Sequence, residues 1–215
     1  MRIPDHIGLI PDGNRRWAQR EGFNKEKGYM FGLIPGVKVF KLCEKLGVKE
    51  ITYYGFTTDN TKRPKLQRKA FTDACVKAVN MLSKEDASLL VLGNTRSQMF
   101  PKELLPYTFK RKKFGNGGIK VNFLVNYGWE WDLANLKENN STNRKTIKKN
   151  INSYDVSRID LIIRWGGRRR LSGFLPVQSV YSDFYVVNDY WPDFKEKQFY
   201  DALKWYDDQD ITLGG

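Results

Sequence analysis

The sequence predicts an α/β fold: a single domain with a mostly parallel six-stranded sheet flanked by helices. Three observations carry this. Six short apolar runs recur along the chain, most of them lack polar alternation, and helical patterns fill the intervals between them. Strands buried on both faces read as continuous apolar runs, and parallel neighbours are joined by crossovers. At 215 residues the chain is long enough for one sizeable core. No repeat or linker divides it, so residues 1–215 are read as one domain.

The expected strands are Ile7–Ile10, Ile51–Phe56, Leu89–Leu92, Val121–Asn126, Leu161–Arg164 and Phe184–Val187. Between the first two, Val39, Leu42, Cys43 and Leu46 keep helical spacing, with Pro35 suited to the first helical position and Gly47 to the stop. From Lys65 to about Ser83, the residues Phe71, Ala74, Cys75, Ala78, Val79 and Leu82 form an apolar stripe. Its simplest reading is core packing, and its small residues leave room for a cleft beside it. A last helix is expected after Asp193, with Glu196 completing a capping box, and runs to about Asp207. The polar stretch Lys137–Asn152 reads as a loop with one short helix.

Composition narrows the partners. With 40% apolar and 14% aromatic residues the chain is folded, and its net charge of +13 suits a polyanionic ligand. Much of the excess, in Lys110–Lys113 and Arg144–Lys149, reads as solvated surface. No nucleic-acid reading module is recognisable, so nucleic acid is not an expected partner. No apolar stretch approaches the roughly 20 residues of a spanning helix, and no secretory leader is apparent. Cys43 and Cys75 both fall on apolar helix faces, which argues against a disulfide or zinc site and for a cytoplasmic location.

The chemistry concentrates at two glycine turns. One reads Ile10-Pro-Asp-Gly-Asn-Arg-Arg-Trp17, the other Arg164-Trp-Gly-Gly-Arg-Arg-Arg-Leu-Ser172. Each follows a strand and brings backbone N–H groups and guanidinium forks together, as diphosphate binding requires. Asp12 is a candidate magnesium ligand. Two anion sites beside a metal ligand point to two phosphorylated substrates. Asp12-Gly13-Asn14 taken alone is equally a tight turn, and Phe56-Thr-Thr-Asp-Asn60 serves as well for a helix cap as for polarising a substrate proton. In open α/β sheets ligands bind at the carboxyl ends of the strands. There the segments Pro11–Trp17, Thr57–Arg63, Asn126–Trp131 and Arg164–Ser172 converge. His6, the only histidine, reads as a packed residue. A nucleotide P-loop is unsupported, because its glycine–lysine pattern is missing, and a single histidine makes His-based triads and His-rich metal sites weak readings.

His6–Trp17, Phe56–Pro64, Asn126–Asp132 and the long block Asp160–Phe194 resemble the cis-prenyltransferases, the undecaprenyl diphosphate synthase family, in order and over nearly the whole chain. The resemblance implies a homodimer of α/β subunits, magnesium dependence, and prenyl diphosphate substrates lodged in a cleft between sheet and helices. It places magnesium and the allylic diphosphate at Asp12, with the N–H groups of Gly13, Asn14, Arg15 and Arg16, the Arg16 side chain and Lys25 around the phosphates. It places the second diphosphate at Arg164, Arg170 and Ser172, and Asp183 at a metal-binding position. Asn14, Thr57 and Asn60 stand where the family positions diphosphate and removes a proton. Trp17, Tyr29 and Arg63 complete the substrate-binding set.

The departures from the family pattern are Tyr29 for a histidine, Lys25 for an arginine, Asp59 and Thr61 around Asn60, and Trp165, Arg168 and Gly173 around the second turn. They resemble the cyclolavandulyl and lavandulyl diphosphate synthase branch, which joins two dimethylallyl diphosphates head-to-middle. A segment between Pro64 and Gly93 shorter than in long-chain members implies a short product. Regular elongation with isopentenyl diphosphate and a non-catalytic supporting subunit are the alternatives.

Overall fold

The computed structural model describes residues 1–138 and 143–210. Its seven strands are β1 (His6–Ile10), β2 (Glu50–Tyr54), β3 (Ala87–Leu92), β4 (Lys112–Phe114), β5 (Ile119–Leu124), β6 (Leu161–Arg164) and β7 (Asp183–Val186). They form one sheet in the order β4-β3-β5-β2-β1-β6-β7. Every pairing is parallel except β3 with β4. The helices are α1 (Asn14–Arg20), α2 (Gly28–Phe31), α3 (Leu33–Leu46), α4 (Lys65–Leu82), α5 (Trp129–Asp132), α6 (Arg144–Lys149) and α7 (Glu196–Asp207).

The strand β4 was not expected. Two exposed lysines and a half-buried Phe114 give it no apolar signature, and it pairs as an antiparallel edge. Lysine-rich short edges are a common protection against strand addition. Hence a surface-charge reading of Lys110–Lys113 caught the chemistry and missed the strand.

Alternation splits each strand between the two faces of the sheet. Ile7, Leu9, Ile51, Tyr53, Val121, Phe123 and Ile163 pack with Val39, Phe40 and Cys43 of α3, Cys75, Val79 and Leu82 of α4, and Phe199 and Leu203 of α7. The opposite face, with Ile10, Tyr54, Leu90, Leu124 and Ile162, packs on Tyr127, Val156, Ile159, Phe174 and Leu175. That second layer is largely irregular chain, fastened by a buried network. The hydroxyls of Tyr127 (2.7 Å) and Ser153 (2.8 Å) and the Ser153 N–H donate to the Asp132 carboxylate, and Gln178 donates to Ser153 Oγ.

Helix α3 starts two residues before Pro35, which therefore sits in the first turn, where its missing N–H costs no intrahelical bond. Gly47 ends it with a left-handed backbone, as expected. The start of α7 is also revised. Asp193 does not cap it but accepts from Trp17 Nε1 (2.9 Å) and pairs with Arg20, while the Gln198 side chain accepts the Lys195 N–H (3.0 Å). Of the stretch Lys137–Asn152, the short helix α6 is present, and residues 139–142 lie outside the described ones.

Candidate active site

Strand order builds the site. Because β1 and β6 are neighbours with Ile10 opposite Arg164, the two glycine turns leave the sheet side by side at its carboxyl edge. They touch. Arg16 Nη2 donates to Gly166 O (2.9 Å), and a Cβ at Gly166 would stand 2.6 Å from that same nitrogen. Gly13 (φ 101°) and Gly166 (φ 85°) are both left-handed, and a Cβ at Gly13 would meet the Tyr190 ring at 2.7 Å. Only glycine fits either position without displacement. The two expected anion sites are therefore halves of one polar cleft of about 430 Å³.

At its centre is Asp12. Arg164 Nη2 donates to Asp12 Oδ2 at 2.8 Å, with Arg168 Nε 3.7 Å from the same oxygen. Arg16 stands 3.5 Å from Oδ1, which also accepts the Gly13 N–H at 2.6 Å. Burial pushes the carboxyl up, but the Arg164 hydrogen bond and charge, with Arg16 and Gly13 N–H, outweigh it and hold Asp12 below its ordinary value. The Arg164 side chain is itself buried and is steered by Ser172 Oγ (3.0 Å) and the Arg170 carbonyl. Ser172 is a non-glycine residue with φ 54°, and Tyr54 Oη donates to its carbonyl at 2.7 Å.

Seven cationic side chains line the cleft: Arg15, Arg16, Lys25, Arg63, Arg164, Arg168 and Arg170. Asp12 and Asp59 are its carboxylates, and Thr57, Asn60 and Ser172 add polar groups. Thr57 and Asn60 also fulfil the capping role: Asn60 Oδ1 accepts the Thr57 N–H (3.2 Å) at the start of the helical turn Thr58–Lys62.

An apolar cavity of about 80 Å³ opens beside the cleft, between α3, α4 and the sheet. Gly36, Val37, Phe71, Ala74, Ala78 and Leu82 line it, so the small residues of the α4 stripe do leave a pocket. Asn14, Tyr29, Tyr54 and Phe71 belong to both cavities. Asn14 Nδ2 donates to Pro11 O (2.8 Å), while its buried Oδ1 has no partner within the protein. The Tyr29 ring lies flat on Phe71, with centroids 4.4 Å apart, and its hydroxyl accepts from Arg63 Nη1 at 2.9 Å. Burial raises the Tyr29 phenol, and Arg63 and Arg15 offset part of that.

Two expected site residues are not brought here. Trp17 turns away from both cavities, donating to Asp193 and packing on Phe31 with centroids 4.6 Å apart. Asn14, Arg15, Arg16 and Gln19 share the side of α1 that lines the cleft, and at about 100° per residue Trp17 falls on the opposite side. Asp183 begins β7 opposite Leu161, whereas Arg164 lies opposite Val186 at the other end. Its charged neighbours are Arg2, Arg158 and Asp160, and burial raises its carboxyl. Within one chain Asp183 thus sits at the amino end of the sheet and does not join Asp12. The segment Asn126–Trp131 also stays outside the cleft, with Tyr127 buried in the network beneath Tyr54.

Gln19 and Tyr54 line the cleft without having been expected there, and Arg168 was not singled out within its segment. Tyr54 gave only a strand signal, and Arg168 was one of three consecutive arginines whose directions depend on the Gly166–Gly167 backbone.

Comparison with known proteins decides the family. Residues 10–214 match the prenyltransferase family described as "Putative undecaprenyl diphosphate synthase". The chain belongs to this family. It is a prenyltransferase, a prenyl diphosphate synthase of the cis-prenyltransferase type. Among similar curated prenyltransferases is the "Isoprenyl transferase" of Streptococcus thermophilus, 32% identical over 99% of this chain and 94% of that one. Another is the "Isoprenyl transferase" of Thermotoga maritima, 31% identical over 100% and 98%. The "Ditrans,polycis-undecaprenyl-diphosphate synthase ((2E,6E)-farnesyl-diphosphate specific)" of Vibrio parahaemolyticus is 29% identical over 99% and 91%. Among solved structures, lavandulyl diphosphate synthase from Lavandula x intermedia, in complex with dimethylallyl diphosphate, superposes with a TM-score of 0.85. It covers 99% of this chain and 98% of that one at 22% identity, which is a likeness of prenyltransferase fold.

Proposed function

We propose that this prenyltransferase makes a short product: it ionises dimethylallyl diphosphate and couples it to a second five-carbon diphosphate. The observation that carries this is the pairing of a large cationic cleft with a small, walled apolar cavity, about 430 Å³ against about 80 Å³. On a scale where one water needs roughly 10–15 Å³, the cavity suits a short branched chain. The finer reading is irregular head-to-middle coupling of two dimethylallyl diphosphates, giving a lavandulyl- or cyclolavandulyl-type ten-carbon product. Its support is the set of departures around the second turn, at Trp165, Arg168 and Gly173, and at Tyr29.

In this mechanism the allylic C–O bond breaks with its electron pair passing to the diphosphate. The acceptor double bond then forms the new C–C bond, and a proton is lost. Arg16 and the open N–H groups of the first turn of α1 stabilise the departing charge, while Arg164 belongs to the second half of the cleft. The apolar cavity excludes water from the allylic cation. Asn14 Oδ1, unpartnered at the junction of the two cavities, orients the leaving proton by accepting a hydrogen bond, and the released diphosphate takes the proton up. Lys25, Arg15 and Arg63 hold the first diphosphate, and Arg170 and Ser172 the second.

The donor set fits magnesium shared with a substrate. Asp12 offers hard carboxylate oxygen, and Mg²⁺ is commonly held by one or two carboxylates plus phosphates and waters. No group of three metal-ligating acidic, histidine or cysteine residues occurs among the described residues, so Asp12 would hold the ion together with substrate oxygens. Magnesium there would supply Lewis-acid stabilisation of the leaving group. The same reading takes the enzyme as a homodimer in the cytoplasm. Cys43 and Cys75, both buried and unpaired, suit a reducing compartment, and no described helix is long and apolar enough to cross a membrane.

Regular elongation with isopentenyl diphosphate is the second reading, favoured by the names of the curated relatives. Product analysis separates the two. The protein is incubated with magnesium and dimethylallyl diphosphate alone, then with isopentenyl diphosphate and dimethylallyl, geranyl or farnesyl primers. Dephosphorylated products are read by mass spectrometry. A branched or cyclic ten-carbon alcohol from dimethylallyl diphosphate alone is the expected result. Products only with isopentenyl diphosphate establish elongation, and none with any substrate points to a non-catalytic relative.

A further inference from the structure

Asp12 divides the cleft. Its Oδ1 faces the first turn, through Gly13 N–H and Arg16, and its Oδ2 faces the second, through Arg164 and Arg168. The two second-turn arginines are held very differently. The Arg164 side chain is 5% exposed, at 2.8 Å from Oδ2, whereas Arg168 is 47% exposed, at 3.7 Å. Arg168 is thus a loosely held cation over the half of the cleft that contains Arg170 and Ser172.

The charge balance gives it a task. Two diphosphate groups bring roughly six negative charges near neutral pH. Seven lining cations against Asp12 and Asp59 leave a protein surplus of five, so the side chains alone nearly match two substrates. Without Arg168 the surplus falls by one and the Oδ2 side keeps only Arg164, already committed to Asp12, beside Arg170.

The geometry points to Arg168 as a diphosphate ligand of the second-turn half: its guanidinium leaves Asp12 for the incoming anion, so that this half holds a diphosphate without a divalent cation. The inference rests on the two-diphosphate reading above and specifies how its second site is neutralised. A planar fork suits the task, since it grips two phosphate oxygens at once where an ammonium offers a point charge.

The test is calorimetric titration of inorganic diphosphate, with EDTA and then with magnesium, into the wild-type protein, Arg168→Gln and Arg168→Lys. Wild type is expected to take up two equivalents per chain in EDTA. Arg168→Gln should keep one and bind the other about tenfold more weakly or worse, with magnesium restoring part of the loss. Arg168→Lys should fall between them. Unligated melting temperatures should agree closely, because Arg168 is half-exposed and its pairing with Asp12, at 3.7 Å, is screened by solvent. An unchanged second equivalent in Arg168→Gln, or a wild type that takes it up only with magnesium, overturns the assignment. Two diphosphates bound as described, with no turnover of any prenyl diphosphate, would instead defeat the catalytic reading and leave Arg168 standing.

Discussion

Asp12 owes its state largely to company arriving from 152 residues away, since Arg164, together with Arg16 and the Gly13 N–H, outweighs the burial penalty and keeps the carboxylate charged. Asp12→Asn should therefore reduce prenyl transfer by about 10²–10³-fold, the usual scale for losing one preorganised electrostatic group. Steady-state rates with magnesium and dimethylallyl diphosphate check this. The pH dependence follows from the sign of the shift. A depressed folded value makes the Asp12 contribution to stability complete above the unfolded value, about 3.9, and lost only as pH falls through the lower folded value. No acid limb from Asp12 is expected above about pH 4, and a pH–rate profile on the folded enzyme reads it directly. Asp12, Arg164 and the glycines were legible because turn chemistry is local. The directions of Trp17 and Arg168 were not, because they depend on helix phase and on a left-handed glycine pair.

Helix α4 was read from its apolar stripe, and its bounds nearly match. What the stripe cannot say is which of its residues meet helix α3 and which face a void. Phe71 does the latter while stacking on Tyr29 and facing the Arg63 guanidinium at 5.4 Å, so it forms the wall between cleft and cavity. Phe71→Leu should thin that wall. The kcat/KM for geranyl relative to dimethylallyl diphosphate is expected to rise about tenfold, within the range that small changes in an apolar pocket produce. Competition between the two primers measures it. An unchanged ratio would assign chain selection to Leu82 and the sheet. Edge strand β4 marks the opposite limit of legibility, since an exposed two-lysine strand is specified by its partner β3 more than by its own pattern.

For the whole molecule, one sheet carries two unlike layers. Helices α3, α4 and α7 cover one face with apolar stripes, while the other is closed by loops tied through Asp132. Burial raises the Asp132 carboxyl, with the hydrogen bonds from Tyr127 and Ser153 acting against that rise. Asp132→Asn turns an amide N–H₂ toward groups that donate to it, so stability should fall by about 1–3 kcal/mol. Thermal unfolding should show a melting temperature lower by several degrees, at roughly 2–4 °C per kcal/mol for a chain of this size. A value within one degree of wild type, on the order of the smallest resolvable shift, would mean that packing of Tyr127 and Phe174 closes this face without the network.

The sequence by itself determined the α/β class, six of the seven strands among the described residues, the principal helices and the two arginine-rich turns, because hydrophobic period and turn chemistry are written in neighbouring residues. The convergence of the two turns at the carboxyl ends of the strands was expected; the tertiary structure alone decided that they touch within one cleft, that Arg164 and Arg168 meet on Asp12, and that Asp183 stands at the other end of the sheet. Those outcomes depend on strand order and register, with β1 placed between β2 and β6. Pairings between residues far apart in the chain set them, and no local pattern records which strand lies beside which.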